Sequence, residues 1–196
     1  MQRLYGSDDL FPDDLDETRR PHQSVNFVTA HDGFCLYDLV AYDREAQRGQ
    51  RPRQHGRHQR QPELELRRAR ATPTRPSAVL ALRRQQAKNF CALLLLANGI
   101  PMIVAGDEFL NTQRGNNNPY NQDNEITWLD WARLDGNRDV FRFFKLMIAF
   151  RKSHPCIGRP TFWREDVSWH GADGPVDLGA RVALPRLLAA RRIGRR

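Results

Sequence analysis

The sequence predicts an α/β fold, a piece of a (β/α)8 barrel rather than a whole one. In Phe27-Val28-Thr29-Ala30-His31-Asp32-Gly33, a short apolar, β-branched run ends abruptly in an imidazole, a carboxylate and a glycine. A barrel strand delivers polar groups to a catalytic rim in this way, its body buried and its C-terminal tip carrying the chemistry. A second apolar run, Ile100 to Ala105, ends likewise in Gly106-Asp107-Glu108, and a long helical pattern lies between the two. With 196 residues the chain is also shorter than the roughly 250 of a complete eight-stranded barrel. The competing reading of the first motif alone is a strand followed by an ordinary Asp-Gly turn.

Residues 1–20 are acidic and turn-rich, with Asp8-Asp9 and Pro12-Asp13-Asp14, and read as a surface loop. Residues 24–30 read as a strand and 34–42 as a turn or short helical piece. Residues 77–98 give the strongest helix signal. Ser77 can cap it, Val79, Leu80, Leu82, Phe90, Leu93 and Leu94 give it an apolar face, and Asn98-Gly99 stops it. Residues 110–127 form a polar loop. From Asp139 to Ser153 an amphipathic helix turns Val140, Phe143, Phe144, Met147, Ile148 and Phe150 inward, and His154-Pro155 ends it. Phe162, Trp163 and Trp169 suggest that a β-domain starts at 161–170. The domain division is 1–43, 44–76, 77–160 and 161–196.

Composition excludes several classes. The N-terminus has no apolar segment of the secretory kind, and Phe90 to Ala105 is interrupted by Asn98-Gly99 and Pro101, short of the roughly 20 residues that span a bilayer. Cys35, Cys91 and Cys156 are scattered, with no CxxC pair, as expected of reduced thiols in a cytoplasmic protein. The net charge is +8, but residues 44–75 contribute +7 and residues 181–196 contribute +6, leaving −5 for the rest. The basicity therefore belongs to two segments and not to a globular surface.

Those segments, 44–76 and 180–196, are expected to be disordered, since the first has no aromatic and almost no apolar residue to bury. It reads as a disordered linker, as a nucleic-acid-binding arm or as a frame-shifted translation. His55 and His58 lie in it without a third ligand at metal spacing, and no metal or other cofactor is expected. The arms lack interleaved aromatics for base stacking, so only nonspecific phosphate contacts remain for nucleic acid.

Ser24-Val25-Asn26-Phe27-Val28-Thr29-Ala30-His31-Asp32-Gly33-Phe34 resembles the last conserved region of the α-amylase superfamily, glycoside hydrolase family 13. Gly106-Asp107-Glu108-Phe109, the Asn-rich Gln113-Arg114-Gly115-Asn116-Asn117-Asn118-Pro119-Tyr120-Asn121-Gln122-Asp123-Asn124-Glu125, the upstream Arg3 to Phe11 and the downstream Thr127-Trp128-Leu129-Asp130-Trp131 resemble its isoamylase and glycogen-debranching branch. The resemblance covers residues 1–43 and 77–178. It implies the last two strands of the barrel, numbers seven and eight, with their helices, and the start of a following β-domain. It also favours the frame-shift reading. Residues 61–67, written as CAA CCG GAG CTG GAA CTG CGG and read one base later, give Asn-Arg-Ser-Trp-Asn-Cys-Gly, similar to a loop motif of that branch. The tail from Ala180 can be shifted similarly toward the family's next strand, and 28 Arg against three Lys fits GC-rich coding.

Retaining glycoside hydrolysis needs a nucleophile and a general acid/base about 5–5.5 Å apart. The resemblance assigns His31 and Asp32 another role: Asp32 stabilises the transition state and binds sugar hydroxyls, and His31 donates a hydrogen bond to one. No segment before Ser24 resembles the family's nucleophilic Asp or acid/base Glu. For Asp107 and Glu108 the resemblance implies support of neighbouring groups rather than catalysis. Asp123 and Glu125 are expected to order their own loop, with Asn116, Asn117 and Asn118 satisfying backbone groups. Trp128 and Trp131 read as packing residues before sugar platforms, and His154 as a helix-end dipole partner.

The expected function is therefore hydrolysis of α-1,6 branch points in glycogen or limit dextrins, with this chain inactive alone. A non-catalytic glucan-binding remnant is one alternative and a nonspecific nucleic-acid binder the other. The expected partner is a branched α-glucan, with no membrane.

Overall fold

The computed structural model describes residues 4–7, 20–42, 77–163, 168–171 and 174–176. The expectations for the Arg-rich segment 44–76, the basic tail 180–196 and most of the acidic segment 1–20 fall outside these residues. So does the capping role of the Ser77 side chain. The chain divides into two units, Met1–Phe162 and Trp163–Arg196.

In the first unit, β1 (Val25–Phe27) and β2 (Ile100–Met102) pair in parallel, with Val25 opposite Ile100, Asn26 opposite Pro101 and Phe27 opposite Met102. Between them come α1 (Leu36–Ala41) and α2 (Ser77–Leu96); after β2 come α3 (Ala132–Gly136) and α4 (Arg138–Ser153). A parallel pair needs a crossover, and the helices supply it. Both strands are shorter than the apolar runs that predict them, 24–30 and 100–105, because the chain bends into its polar tips after Phe27 and Met102.

Helix α2 ends at Leu96, two residues earlier than 77–98 implies. Gly99 has φ +115, a left-handed conformation that halts a helix and suits glycine. The Arg151 guanidinium completes the stop. It donates to the carbonyls of Leu95 (2.7 Å), Ala97 (2.7 Å) and Gly99 (2.5 Å), groups that a helix end leaves without partners.

The core joins Leu36, Ala87, Cys91, Leu95, Leu110, Val140 and Phe144, with Val28 and Ile103 packed against it from the strand tips. The expected apolar face of α2 is therefore met only in part, at Leu94 and at the margin by Phe90. Ala87, Cys91, Leu94 and Leu95 are buried, whereas Leu80, Leu82 and Leu93 are exposed and Val79 and Phe90 half-buried. The face of α2 that joins Val140 and Phe144 of α4 in the core is thus made of Ala87, Cys91 and Leu95. On α4 the expected face holds for Val140 and Phe144, with Phe143 and Met147 at its margin. Ile148 and Phe150 are exposed; Phe150 instead stacks on His154 at 4.0 Å, whose Nδ1 lies 2.7 Å from the Phe150 carbonyl oxygen. Asp139, in the first turn of α4, receives Arg84 (2.9 Å) and Lys88 (2.8 Å) from α2.

In the second unit, β3 (Trp169–Gly171) and β4 (Gly174–Val176) pair antiparallel.

Candidate functional site

The candidate site lies where the tips of β1 and β2 meet the loop 110–127. Past Phe27 the chain turns polar. Thr29 is buried, then His31 and Asp32 emerge with side chains 91% and 82% exposed, His31 Nε2 lying 3.6 Å from Asp32 Oδ2. The exposure of this pair contrasts with the burial on either side of it, since Phe34, Cys35 and Leu36 return to the core.

Asp107 explains how that excursion is held. It opens the short 3-10 turn Asp107–Phe109 after β2 and is 2% exposed. One carboxylate oxygen accepts the Thr29 hydroxyl (2.5 Å) and the other accepts the Leu36 backbone N–H (2.8 Å). A single side chain thus fixes both ends of the segment that carries His31 and Asp32. Burial pushes its carboxyl up to about 6, against the opposing effect of those two hydrogen bonds. The turn depends on Gly106, at φ +96, where a Cβ would stand 2.7 Å from the Asn111 Cβ and 2.9 Å from Leu129 Cδ2. Glu108 faces its own turn, Oε2 accepting the Gly106 N–H at 2.9 Å. Beside Thr29 and Asp107 lies a cavity of about 10 Å³, near the size of one water and too small for a sugar ring.

The Asn-rich loop joins the same rim. The Gly33 N–H donates to the Asn117 carbonyl at 2.8 Å. Asn116, fully buried, accepts the Asn118 N–H at 2.9 Å through its side chain. Asp123 accepts the Trp128 indole N–H (2.8 Å), and Glu125 pairs with Arg114 (3.2 Å), both within the loop. Packing does not cover the two tryptophans. Trp128 and Trp131 are 59% and 63% exposed, Trp131 resting on Phe109 at 5.1 Å.

Sequence reasoning overlooks Asp38. It is fully buried on α1 and accepts the Thr112 hydroxyl and the N–H groups of Gln113 (2.8 Å) and Gly115 (3.1 Å). The available signal is an acid set inside the apolar run Leu36-Tyr37-Asp38-Leu39-Val40. Among the described residues no cluster of His, Cys, Asp and Glu is arranged to hold a metal, and no helix is long and apolar enough to cross a membrane.

Chemically the site offers one exposed imidazole–carboxylate pair on a fixed segment, beside a loop rich in amides. Amides, carboxylates and imidazoles are the groups that hydrogen-bond polyhydroxylated ligands. Of the carboxylates nearest the pair, Asp107 is buried with both oxygens accepting hydrogen bonds, and Glu108 accepts the N–H of its own turn.

No protein-family model matches the chain. A curated relative from Mycobacterium bovis, the glycogen operon protein GlgX homolog, is 40% identical over 163 residues, 82% of this chain and 22% of that protein. An isoamylase from a Flavobacterium species is 39% identical over 181 residues, 88% of this chain and 22% of that protein. Among solved structures, a pullulanase from Paenibacillus barengoltzii, complexed with maltohexaose and α-cyclodextrin, superposes with a TM-score of 0.57 at 26% identity, covering 82% of this chain and 20% of that one. The chain spans about a fifth of the length of the curated relatives it matches. Identity at that level over more than four fifths of this chain shows that it belongs to the isoamylase and glycogen-debranching branch of glycoside hydrolase family 13.

Proposed function

We propose that the chain carries the sugar-binding rim of a hydrolase acting on α-1,6 branch points of glycogen or a related branched α-glucan. The exposed His31–Asp32 pair, held between buried anchors at Thr29 and Leu36, supports this reading most directly. In the proposed role His31 donates a hydrogen bond to a sugar hydroxyl. Asp32 accepts from neighbouring hydroxyls and favours the oxocarbenium-like transition state of a retaining reaction. On this reading β1 and β2 are the seventh and eighth strands of a (β/α)8 barrel, and β3–β4 belong to a following β-domain. A cytoplasmic setting fits the same reading, since the Mycobacterium bovis relative is named as a glycogen operon protein.

The nucleophile and the acid/base group lie outside the roles available to these residues, because Asp107 and Glu108 are occupied by hydrogen bonds. The purified chain is therefore expected to bind linear α-glucan without hydrolysing branched glucan. Calorimetric titration with maltohexaose, beside a reducing-end assay on glycogen, tests both halves. His31→Ala and Asp32→Ala should each weaken binding by about tenfold or more, as loss of a charge-assisted hydrogen bond predicts. Equal binding by both variants would remove the reading, and reducing ends released by the wild-type chain would remove the claim of inactivity.

A further inference from the structure

We infer that Asp38 is a positioning residue that holds the Asn-rich loop and the His31–Asp32 segment in one fixed arrangement, so that the two present a single surface to an α-glucan. The inference rests on the reading of His31 and Asp32 as a sugar-binding pair. Asp38 lies on α1, the helix that follows that pair directly. It is fully buried at a position where an apolar residue would fill the core without desolvating a charge. Its carboxylate instead accepts three hydrogen bonds from the neighbouring loop, from the Thr112 hydroxyl, Gln113 N–H and Gly115 N–H, with the Cys35 thiol beside it.

That loop needs an external anchor. Arg114 and Gly115 both have positive φ, +55 and +79, so the backbone there follows no regular ladder. With the start of the loop tied to α1, its continuation at Asn117 meets the Gly33 N–H at 2.8 Å, next to Asp32. The other end of the pair's segment is tied through Leu36 to Asp107. Two buried carboxylates thus meet at the first turn of α1. Asp107 fixes the segment to β2, and Asp38 fixes the loop to the segment. The Gly33–Asn117 bond is the point where the coupling becomes observable, because it lies beyond the Thr112, Gln113 and Gly115 groups that donate to Asp38.

The test is the Gly33 amide in the NMR spectrum of the 196-residue chain, for wild type, Asp38→Ala, Asp38→Asn and Thr112→Val. In Asp38→Ala the Gly33 amide proton should move upfield and exchange about tenfold faster or more, as expected for a bond freed to open locally. Asp38→Asn should keep it near wild type, since the carboxamide oxygen still accepts backbone N–H groups and Thr112 can reverse to accept. A Gly33 amide unchanged in Asp38→Ala, with shifts confined to residues 112–115, overturns the inference. Should Asp38→Ala not fold, Thr112→Val carries the decision, and an unchanged Gly33 there is equally fatal. Maltohexaose titrations separate this inference from the reading beneath it. Asp38→Ala should bind about tenfold more weakly, as displaced binding groups predict. Loss of binding in His31→Ala and Asp32→Ala but not in Asp38→Ala sinks the coupling alone. Unchanged binding in all three sinks the sugar-binding reading while Gly33 still decides the coupling.

Discussion

At Asp107 a buried carboxylate sits between Thr29, the Leu36 N–H and the neighbouring Glu108, and burial dominates, pushing its carboxyl up to about 6 from 3.8. The protonated form is therefore favoured more in the folded chain than in the unfolded one. The stability this contributes is fully present below about 4 and is lost as pH rises through about 6. Burial raises Asp38 as well, so both residues act in the same direction. Melting temperature should thus fall between pH 4.5 and 7, with Asp107 contributing on the order of 2 kcal/mol to the change. Asp107→Asn is neutral throughout and keeps the Thr29 and Leu36 contacts in reversed or equivalent form. Its profile of melting temperature against pH should be flatter, with the residual slope belonging to Asp38. A variant profile as steep as wild type would assign the slope to other groups.

At the scale of elements, α2 and α4 form the main packing contact, and Phe144 is its largest aromatic member, 2% exposed against Cys91 and Leu95. Phe144→Ala should cost about 3–5 kcal/mol in a urea titration, the range for deleting a buried aromatic ring. Phe150→Ala, at an exposed position on the same helix, should cost far less. Equal losses would mean that the contact does not run along the Ala87–Cys91 stripe. This pair of helices also shows where the sequence was readable and where it was not. The i, i+4 spacing of Val140 and Phe144 marks the inner face of α4 directly. On α2, leucines are spread around the helix and the buried stripe mixes Ala87 and Cys91 with Leu94 and Leu95, so the leucine pattern alone does not mark the inner face. The apolar runs are longer than the strands because Val28 and Ile103 continue them but already lie beyond the paired backbone, packed against the core. In the candidate site, His31 and Asp32 stand out because imidazole and carboxylate interrupt an apolar run. Asp38 hides among apolar neighbours, and its purpose depends on a loop more than seventy residues away, a contact that local pattern cannot carry.

At the scale of the whole molecule, the described residues cover one face of the parallel sheet and leave the other exposed. Helices α2 and α4 pack with Val28 and Ile103 on one side, while Val25, Phe27, Ile100 and Met102 are exposed on the other by 50%, 56%, 48% and 37%. The register places Val25 beside Ile100 and Phe27 beside Met102, so the four form one contiguous apolar patch. Parallel sheets are normally buried on both faces, and a patch of this kind on an exposed surface promotes association. The 196-residue chain in solution should therefore bind a hydrophobic dye such as ANS in its folded state and self-associate with increasing concentration. Replacing Phe27 by Lys and Met102 by Glu sets opposite charges at a directly paired position, where they can interact across the strands. Because both sites are exposed, the double variant should change stability by no more than about 0.5–1 kcal/mol. Dye fluorescence and the sedimentation-derived mass should both fall toward monomer values. If the variant is as stable as wild type but associates just as strongly, the sheet face is not the adhesive surface, and the exposed Trp128 and Trp131 on the site loop become the next surface to substitute.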